Sequence, residues 1–263
     1  RAAGPRRGFK VKGYLDLGFQ GTVLHAFRHL QLDPAQSFAT LPLLGLRPLT
    51  LRLPGAPGEE GEGDLKVEIH ANGSYRIETA AGLTTELRIE SVPEALEVEG
   101  PWEVEFREMF GESFNREFRQ LESFHLNRDR RVKYFSGEAT YENEFQLAEG
   151  LMQGTRLYLD CGEVRWLAEV FVNDQKAGIV WCPPWRLEIS DYCREGRNRL
   201  KIICANPWKN RLIGDAQLPE EESKTVLTNF RMSISDFKDM ELMEAGLLGP
   251  VRILPAVVSK LKF

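Results

Sequence analysis

The feature that most limits this chain is a period of two. Apolar and polar residues alternate in "FKVKGYLDL" (9–17), "TVLHAFRHL" (22–30), "LTLRL" (49–53), "TTELRIESV" (84–92), "WEVEF" (102–106), "ATYENEFQL" (139–147), "TRLYLDCG" (155–162), "WRLEI" (185–189), "NRLKIICA" (198–205) and "GPVRILPAVV" (249–258). Strict alternation places one side of an extended segment in a core and the other in water, so these runs predict half-buried strands. Two further runs predict hairpins: 65–79, turning at Asn72-Gly73 as a type I′ turn with Val67, Ile69, Tyr75 and Ile77 on one face, and 168–181, turning at Asn173-Asp174. Helical signals are few; "SDYCREG" (190–196) suits one short turn, with Ser190 as cap and Gly196 as stop. Many short strands between turn signals point to an all-β sandwich or barrel.

Two breaks organise the chain. "LPGAPGEEGEGD" (53–64) is rich in Pro, Gly and acid and predicts a loop or linker, and Gly100-Pro101 precedes a new strand at Trp102. The predicted division is a small β-domain over 1–99 and a larger sandwich over 100–263.

Bulk properties narrow the function classes. The 263 residues carry a formal charge of −5, which disfavours nucleic acid as a main partner; the basic string "NRDRR" (127–131) reads as a solvated loop. No apolar run approaches the ~18 residues of a membrane-spanning helix, so no membrane partner is expected. The four cysteines, Cys161, Cys182, Cys193 and Cys204, lack C-x-x-C spacing, which argues against zinc and leaves both disulfides and free thiols open. His25 and His29 lie in a strand-like run with no acidic partner nearby, a poor metal site.

From Gly100 onward the order of motifs is distinctive: "GPWEVEF", "YFSGEATYENEFQL", "LYLDCGEVRWLAEVFVND", "GIVWCPPWRLEIS", "NPWKNRLIGD" and "GLLGPVRIL". This series resembles the galactose-binding-like β-sandwich of large glycoside hydrolases. It is similar to the sugar-binding domain of family 2 and, through "NRLIGD" and "GLLGPV", to the C-terminal region of family 106 α-L-rhamnosidase-like proteins. The resemblance covers about 65–256. It departs at Asp174 and Ala245, where Gly and Ser are expected, and at Cys161, where an aliphatic residue is usual.

The resemblance implies a galactose-binding-like jelly roll over 100–263 whose partners are a glycan or oligosaccharide and the catalytic domain of a parent enzyme. It also implies a secreted or periplasmic setting. A structural calcium is a further implication; the acidic string "EEGEGD" (59–64) offers ligands but reads first as a solvated loop. The βα alternation of a catalytic barrel is absent, so the chain reads as a non-catalytic, carbohydrate-binding accessory module. A purely structural buttress and a free-standing glycan-active enzyme are the alternatives.

Candidate ligand residues are chosen by their chemistry. Trp181 and Trp185 flank Cys182-Pro183-Pro184, where the prolines prevent a central strand and flat rings could stack on sugar C–H faces; capping the core is the rival reading. Trp102 and Trp166 lie in strand patterns and read as core. In "NPWKNRLIGD" (206–215) the strand should end at Pro207, leaving an ordered loop anchored by Trp208, with Asn206, Asn210, Arg211 and Asp215 either bonding within the protein as a clamp or facing a sugar. Tyr141, with Tyr134, Glu142 and Glu144 near it in sequence, could face a ligand, while Gly137 permits a tight bend at the strand entrance.

Overall fold

The computed structural model describes residues 9–10, 38–41, 49–52, 66–79, 84–108, 112–225 and 233–260. The run 22–30 with His25 and His29, most of 9–17 and the acidic linker at 53–64 lie outside the described residues. The protein is all-β, and it divides into two compact units. The smaller comprises residues 1–94, 153–156 and 255–263; the larger comprises 95–152 and 157–254.

In the smaller unit the strands are β1 (Phe9–Lys10), β2 (Phe38–Leu41), β3 (Leu49–Arg52), β4 (Lys66–Ile69), β5 (Gly73–Thr79) and β6 (Thr84–Ile89). The expected hairpin at Asn72-Gly73 is not formed. β4 is flanked on one edge by β3 and on the other by residues 257–260 of the last strand, so neither edge is open to β5. β5 instead pairs with β6, from Gly73↔Ile89 to Glu78↔Thr84, and with β1. Asn72-Gly73 is therefore a corner where the chain changes sheets. Asn72 is not in the left-handed region that a type I′ turn requires. Its side-chain oxygen accepts from Val92 N at 2.6 Å. Val67 and Ile69 are buried as expected, and Tyr75 is half-buried.

The remaining strands are β7 (Leu96–Glu97), β8 (Trp102–Glu108), β9 (Phe114–Phe118), β10 (Gly137–Leu147), β11 (Thr155–Asp160), β12 (Val164–Arg165), β13 (Leu167–Val172), β14 (Gln175–Val180), β15 (Arg186–Glu188), β16 (Gly196–Asn206), β17 (Gly246–Leu247) and β18 (Arg252–Lys260), all in the larger unit except residues 155–156 of β11 and 255–260 of β18. One antiparallel sheet has the order β14-β13-β16-β10-β8-β9, while β11 lies between β15 and β18 and β7 pairs with β18. β8 shows how the sequence drives this: Trp102, Val104 and Phe106 are buried, while Glu103, Glu105 and Arg107 are exposed. Residues of one parity from β10, β11, β13 and β16 join them in a single core. Phe106 is its centre, with Phe114 stacked at 4.8 Å and Phe124 and Phe135 at 5.2 and 4.8 Å. Each buried aromatic of this kind contributes roughly 1.5–3 kcal/mol by removal from water.

The hairpin at Asn173-Asp174 forms as expected. Both residues have positive φ, 52° and 65°, as a type I′ turn demands. Asn198, fully buried on β16, holds this end of the sheet together: its oxygen accepts from Asn173 and from Arg194 N, and its nitrogen donates to the carbonyls of Arg194 and Gly196. Residues 190–192 form one 3-10 turn, but Ser190 does not cap it; its hydroxyl accepts from Leu157 N instead.

The basic string at 127–131 is a capped turn rather than a loop. Asp129 caps α1 (Arg130–Lys133) by accepting from Arg131 N, and it also pairs with Arg116. Burial pushes the Asp129 carboxyl up, but the Arg131 N–H and the Arg116 guanidinium outweigh it and hold the pKa below the usual carboxylate range. The Arg131 guanidinium lies over the Phe114 ring at 3.9 Å. No helix among the described residues is long and apolar enough to cross a membrane.

Candidate functional site

β16 leaves its sheet after Asn206, because Pro207 has no N–H to continue the ladder. Beyond it the chain forms a helix, α2 (Lys209–Gln217), and not the expected loop. The polar content of the segment hides a helical pattern. Arg211 and Asp215 are four apart and pair across one turn at 2.5 Å, while Ile213 and Gly214 share the buried side with Asn210. The close approach at Gly214 decides the packing: a Cβ there would meet the Tyr134 ring at 2.6 Å. Ile213, with no exposed surface, is the apolar anchor; Trp208, expected in that role, is 38% exposed.

The side chains of α2 are mostly satisfied within the protein. Asn210 donates to Met243 O and accepts from Met243 N, both at 2.8 Å, and so ties the helix to the segment before β17. Asp215 accepts from Arg211, from Lys224 N at 3.2 Å, from Thr225 N at 2.8 Å and from the Thr225 hydroxyl. Lys224 in turn pairs with Glu108. This is the self-bonding clamp, built on a helix rather than a loop. Its partners Met243, Lys224 and Thr225 carry no signal in sequence, since all three contribute main-chain groups.

Beside α2 lies a small cleft lined by Ser136, Gly137, Asn206, Trp208, Arg211 and Lys224, among others, enclosing about 60 Å³. Ordinary ligand pockets run to ~300–1,000 Å³. Gly137 makes the bend expected of it, with φ 136°; a Cβ there would collide with Arg107 O. Two buried polar atoms of residues lining this cleft have no hydrogen-bond partner, Asn206 Oδ1 and Arg211 Nε. In the sequence Asn206 is marked by its place, a polar residue at a buried parity of a strand.

The outer face of the larger sheet carries a second candidate surface. By register, Leu167 lies beside Ala205, Ala205 beside Glu138 and Glu138 beside Arg107, all pointing away from the core. Trp181 comes directly after the Val180↔Ala168 pair, and alternation places it at the level of Leu167 on the same face. Trp181 is 69% exposed, and Ile179 and Leu167 beside it are also exposed. Trp181 is therefore not a core cap, whereas Trp185 is half-buried and packs against the core.

Two aromatics contradict their expectations. Tyr141 does not face a ligand: it is fully buried, stacks on Phe124, and its hydroxyl accepts from Leu247 N at 3.0 Å. Burial drives its pKa well above the ordinary tyrosine value. Trp166 is not core but 50% exposed, because the chain switches between β12, which pairs with β17, and β13, which pairs with β14 and β16; alternation does not carry across the switch. Trp102 is buried as expected.

All four cysteines are free. Burial raises the thiols of Cys161 and Cys193 to about 12 and that of Cys204 well above its ordinary value. Among the described residues, no three His, Cys, Asp or Glu side chains gather as metal ligands.

Residues 122–237 match the glycosyl hydrolase 2 galactose-binding domain-like family. The larger unit is a galactose-binding-like β-sandwich. The chain is similar to a putative beta-glucuronidase of Formosa agariphila, 31% identical over 201 residues, which is 69% of this chain and 17% of that protein. Among solved structures it is similar to a rhamnosidase from Novosphingobium sp. PP1Y, with a TM-score of 0.55 and 26% identity over 84% of this chain and 25% of the rhamnosidase. An uncultured Clostridium sp. beta-glucuronidase covers 62% of this chain at 16% identity and a TM-score of 0.43. The chain thus spans 17% of the curated relative and 25% of the rhamnosidase.

Proposed function

We propose that this chain is a non-catalytic, carbohydrate-binding accessory module of an α-L-rhamnosidase-like glycoside hydrolase of the family 106 type. Its partners are a glycan and the catalytic domain of the parent enzyme. The observation that carries the reading is Trp181, a flat aromatic 69% exposed beside Leu167 and Ile179, directly after the edge strand β14. An indole in this position can lie against the C–H face of one sugar, while Glu138 and Arg107, three and four strands along the same row, can bond to the hydroxyls of a unit further along the glycan. The likeness to a rhamnosidase, together with the family match, supports the choice of ligand class.

The test is a glycan array, then titration of the best hit. Trp181→Ala should weaken binding at least about tenfold, the scale of losing ~1.4 kcal/mol of contact. The second reading, a buttress for the parent enzyme, draws on the same apolar strip, since contiguous exposed apolar surface also marks protein contacts. Silence across the array would favour the buttress. Turnover of p-nitrophenyl α-L-rhamnoside that disappears with one carboxylate substitution would favour the enzyme.

A further inference from the structure

We propose that the outer face of the larger sheet, the one that carries Trp181, is selective for neutral glycans and disfavours those bearing uronate carboxylates. The proposal rests on the reading of this chain as a sugar-binding module and names the ligand class of that same face. A uronate is recognised by a cation left free to meet it, most often an arginine in a two-pronged bond. On the outward positions of these six strands each arginine already has a carboxylate. Arg107 lies 3.5 Å from Glu138, Arg199 lies 3.2 Å from Asp174, and Arg197 pairs with Glu144. Of the lysines, Lys176 pairs with Glu169 at 2.8 Å, and the Lys201 ammonium sits 4.7 Å from the centre of the Phe171 ring.

The carboxylates are in surplus. Glu103, Glu105 and Glu142 alternate with buried residues and are exposed on this face, and among the described residues none of the three has an ion-pair partner. Glu142 is the register partner of both Lys201 and Glu103. Lys201 could pair with Glu142 across the ladder but stacks on Phe171 instead, so two like charges stand opposite each other, an arrangement that already costs the sheet stability. These four side chains line one open groove. Glu105 lies two residues before Arg107 on the same side of β8, about 7 Å away by the rise of a strand, so a glycan that spans from Trp181 to Arg107 passes close to it. An exposed pair can reopen to meet an incoming uronate, since such pairs are weak. With Arg107 the exchange would strand Glu138 beside the new anion. Hydroxyls carry no such cost, because a carboxylate accepts from them. In water a unit charge met at about 7 Å is worth roughly threefold in binding, and little of that is screened at 10 mM salt, where the Debye length is about 30 Å.

The experiment is isothermal titration calorimetry of the full chain with matched tetrasaccharides. The probes are tetraoses of D-glucose, D-galactose and D-mannose, each beside the corresponding uronate tetraose, and L-rhamnotetraose carrying one glucose branch beside the same tetraose carrying one glucuronic acid branch. At ~10 mM salt the neutral member of at least one pair should bind, with its uronate partner at least about threefold weaker, and ~500 mM salt should bring the two within about twofold. The triple variant Glu103→Gln, Glu105→Gln, Glu142→Gln changes exposed groups only and keeps their size; it should bring the two within about twofold at low salt. A uronate that binds as tightly as its neutral partner, or tighter, would overturn the proposal and leave the proposed function standing. So would a preference that survives in the triple variant or in high salt, since shape and not charge would then be its cause. Binding of no member of any pair would remove the proposal together with the proposed function.

Discussion

Asp215→Ala is the substitution that probes the clamp most directly. Asp215 is the carboxylate on which Arg211 and residues 224–225 converge, and its side chain has no exposed surface. Removing it leaves the Arg211 guanidinium buried without a counter-charge and the Thr225 N–H without its acceptor. Breaking one side of a buried ion pair costs about 3–5 kcal/mol, because the surviving charge stays desolvated. For a unit of this size, each kcal/mol lowers the melting temperature by roughly 2–4 °C, so the expected drop is roughly 6–20 °C. The double replacement Arg211→Met with Asp215→Leu should recover the part due to the stranded guanidinium charge, since no buried charge remains, while the Lys224 and Thr225 N–H groups stay without their acceptor in both variants. The assay is thermal unfolding by circular dichroism for the wild type, both single variants and the double. An Asp215→Ala melting point within about 1 °C of wild type, or a double variant no better than the single, would refute the argument that these groups stabilise the sandwich by satisfying one another.

Three further outcomes rest on local geometry. Asp174→Gly should stabilise the protein by up to ~1 kcal/mol, since Asp174 holds φ 65° at a position glycine occupies without strain; a fall in melting temperature would count against the turn assignment. Iodoacetamide at pH 8 should label Cys182 in the native protein, but not Cys161 or Cys204, whose thiols are buried, nor Cys193 at a comparable rate, since its pKa stands at about 12; mass spectrometry of the adducts reads this out. The Asp129 cap should contribute stability that is fully present above the unfolded carboxylate pKa near 3.9 and lost as pH falls through the lower folded value; acid titrations of wild type and Asp129→Asn should diverge above that window and converge below it.

Much of the sandwich could be read from the sequence because alternation is a direct record of burial. In β8 every second residue is apolar and buried, and in β16 Leu200, Ile202 and Cys204 keep the same alternation between the buried Asn198 and Asn206. The hairpin at Asn173-Asp174 was legible for the same reason, its two arms and its turn residues lying within fourteen positions. Pairing between distant strands was not. The run 65–79 carries a better turn dipeptide than 168–181, yet β4 is claimed on both sides by β3 and β18, and the partner on one side lies near the C-terminal end of the chain. Turn propensity is local; edge availability is set by the whole topology, and it wins because a central strand gains two ladders where a hairpin offers one. Trp166 failed likewise: its parity predicts burial only if one strand runs through it, and the chain changes sheets there.

The candidate site divides along the same line. Asn210, Arg211 and Asp215 were legible as a polar cluster that had to be satisfied, and all but the Arg211 Nε are, but the helix that satisfies them was masked. Its polar face turns inward, so the apolar stripe that normally announces a helix is reduced to Ile213 and Gly214. A buried helix face made of charges is a costly arrangement for stability alone, since hydrophobic replacements of such pairs are often neutral or better. What it provides here is placement. Asp215 fixes one end of the Arg211 guanidinium, Met243 fixes Asn210 one residue before it, and Cys204 O and Gly137 O fix the amide of Asn206.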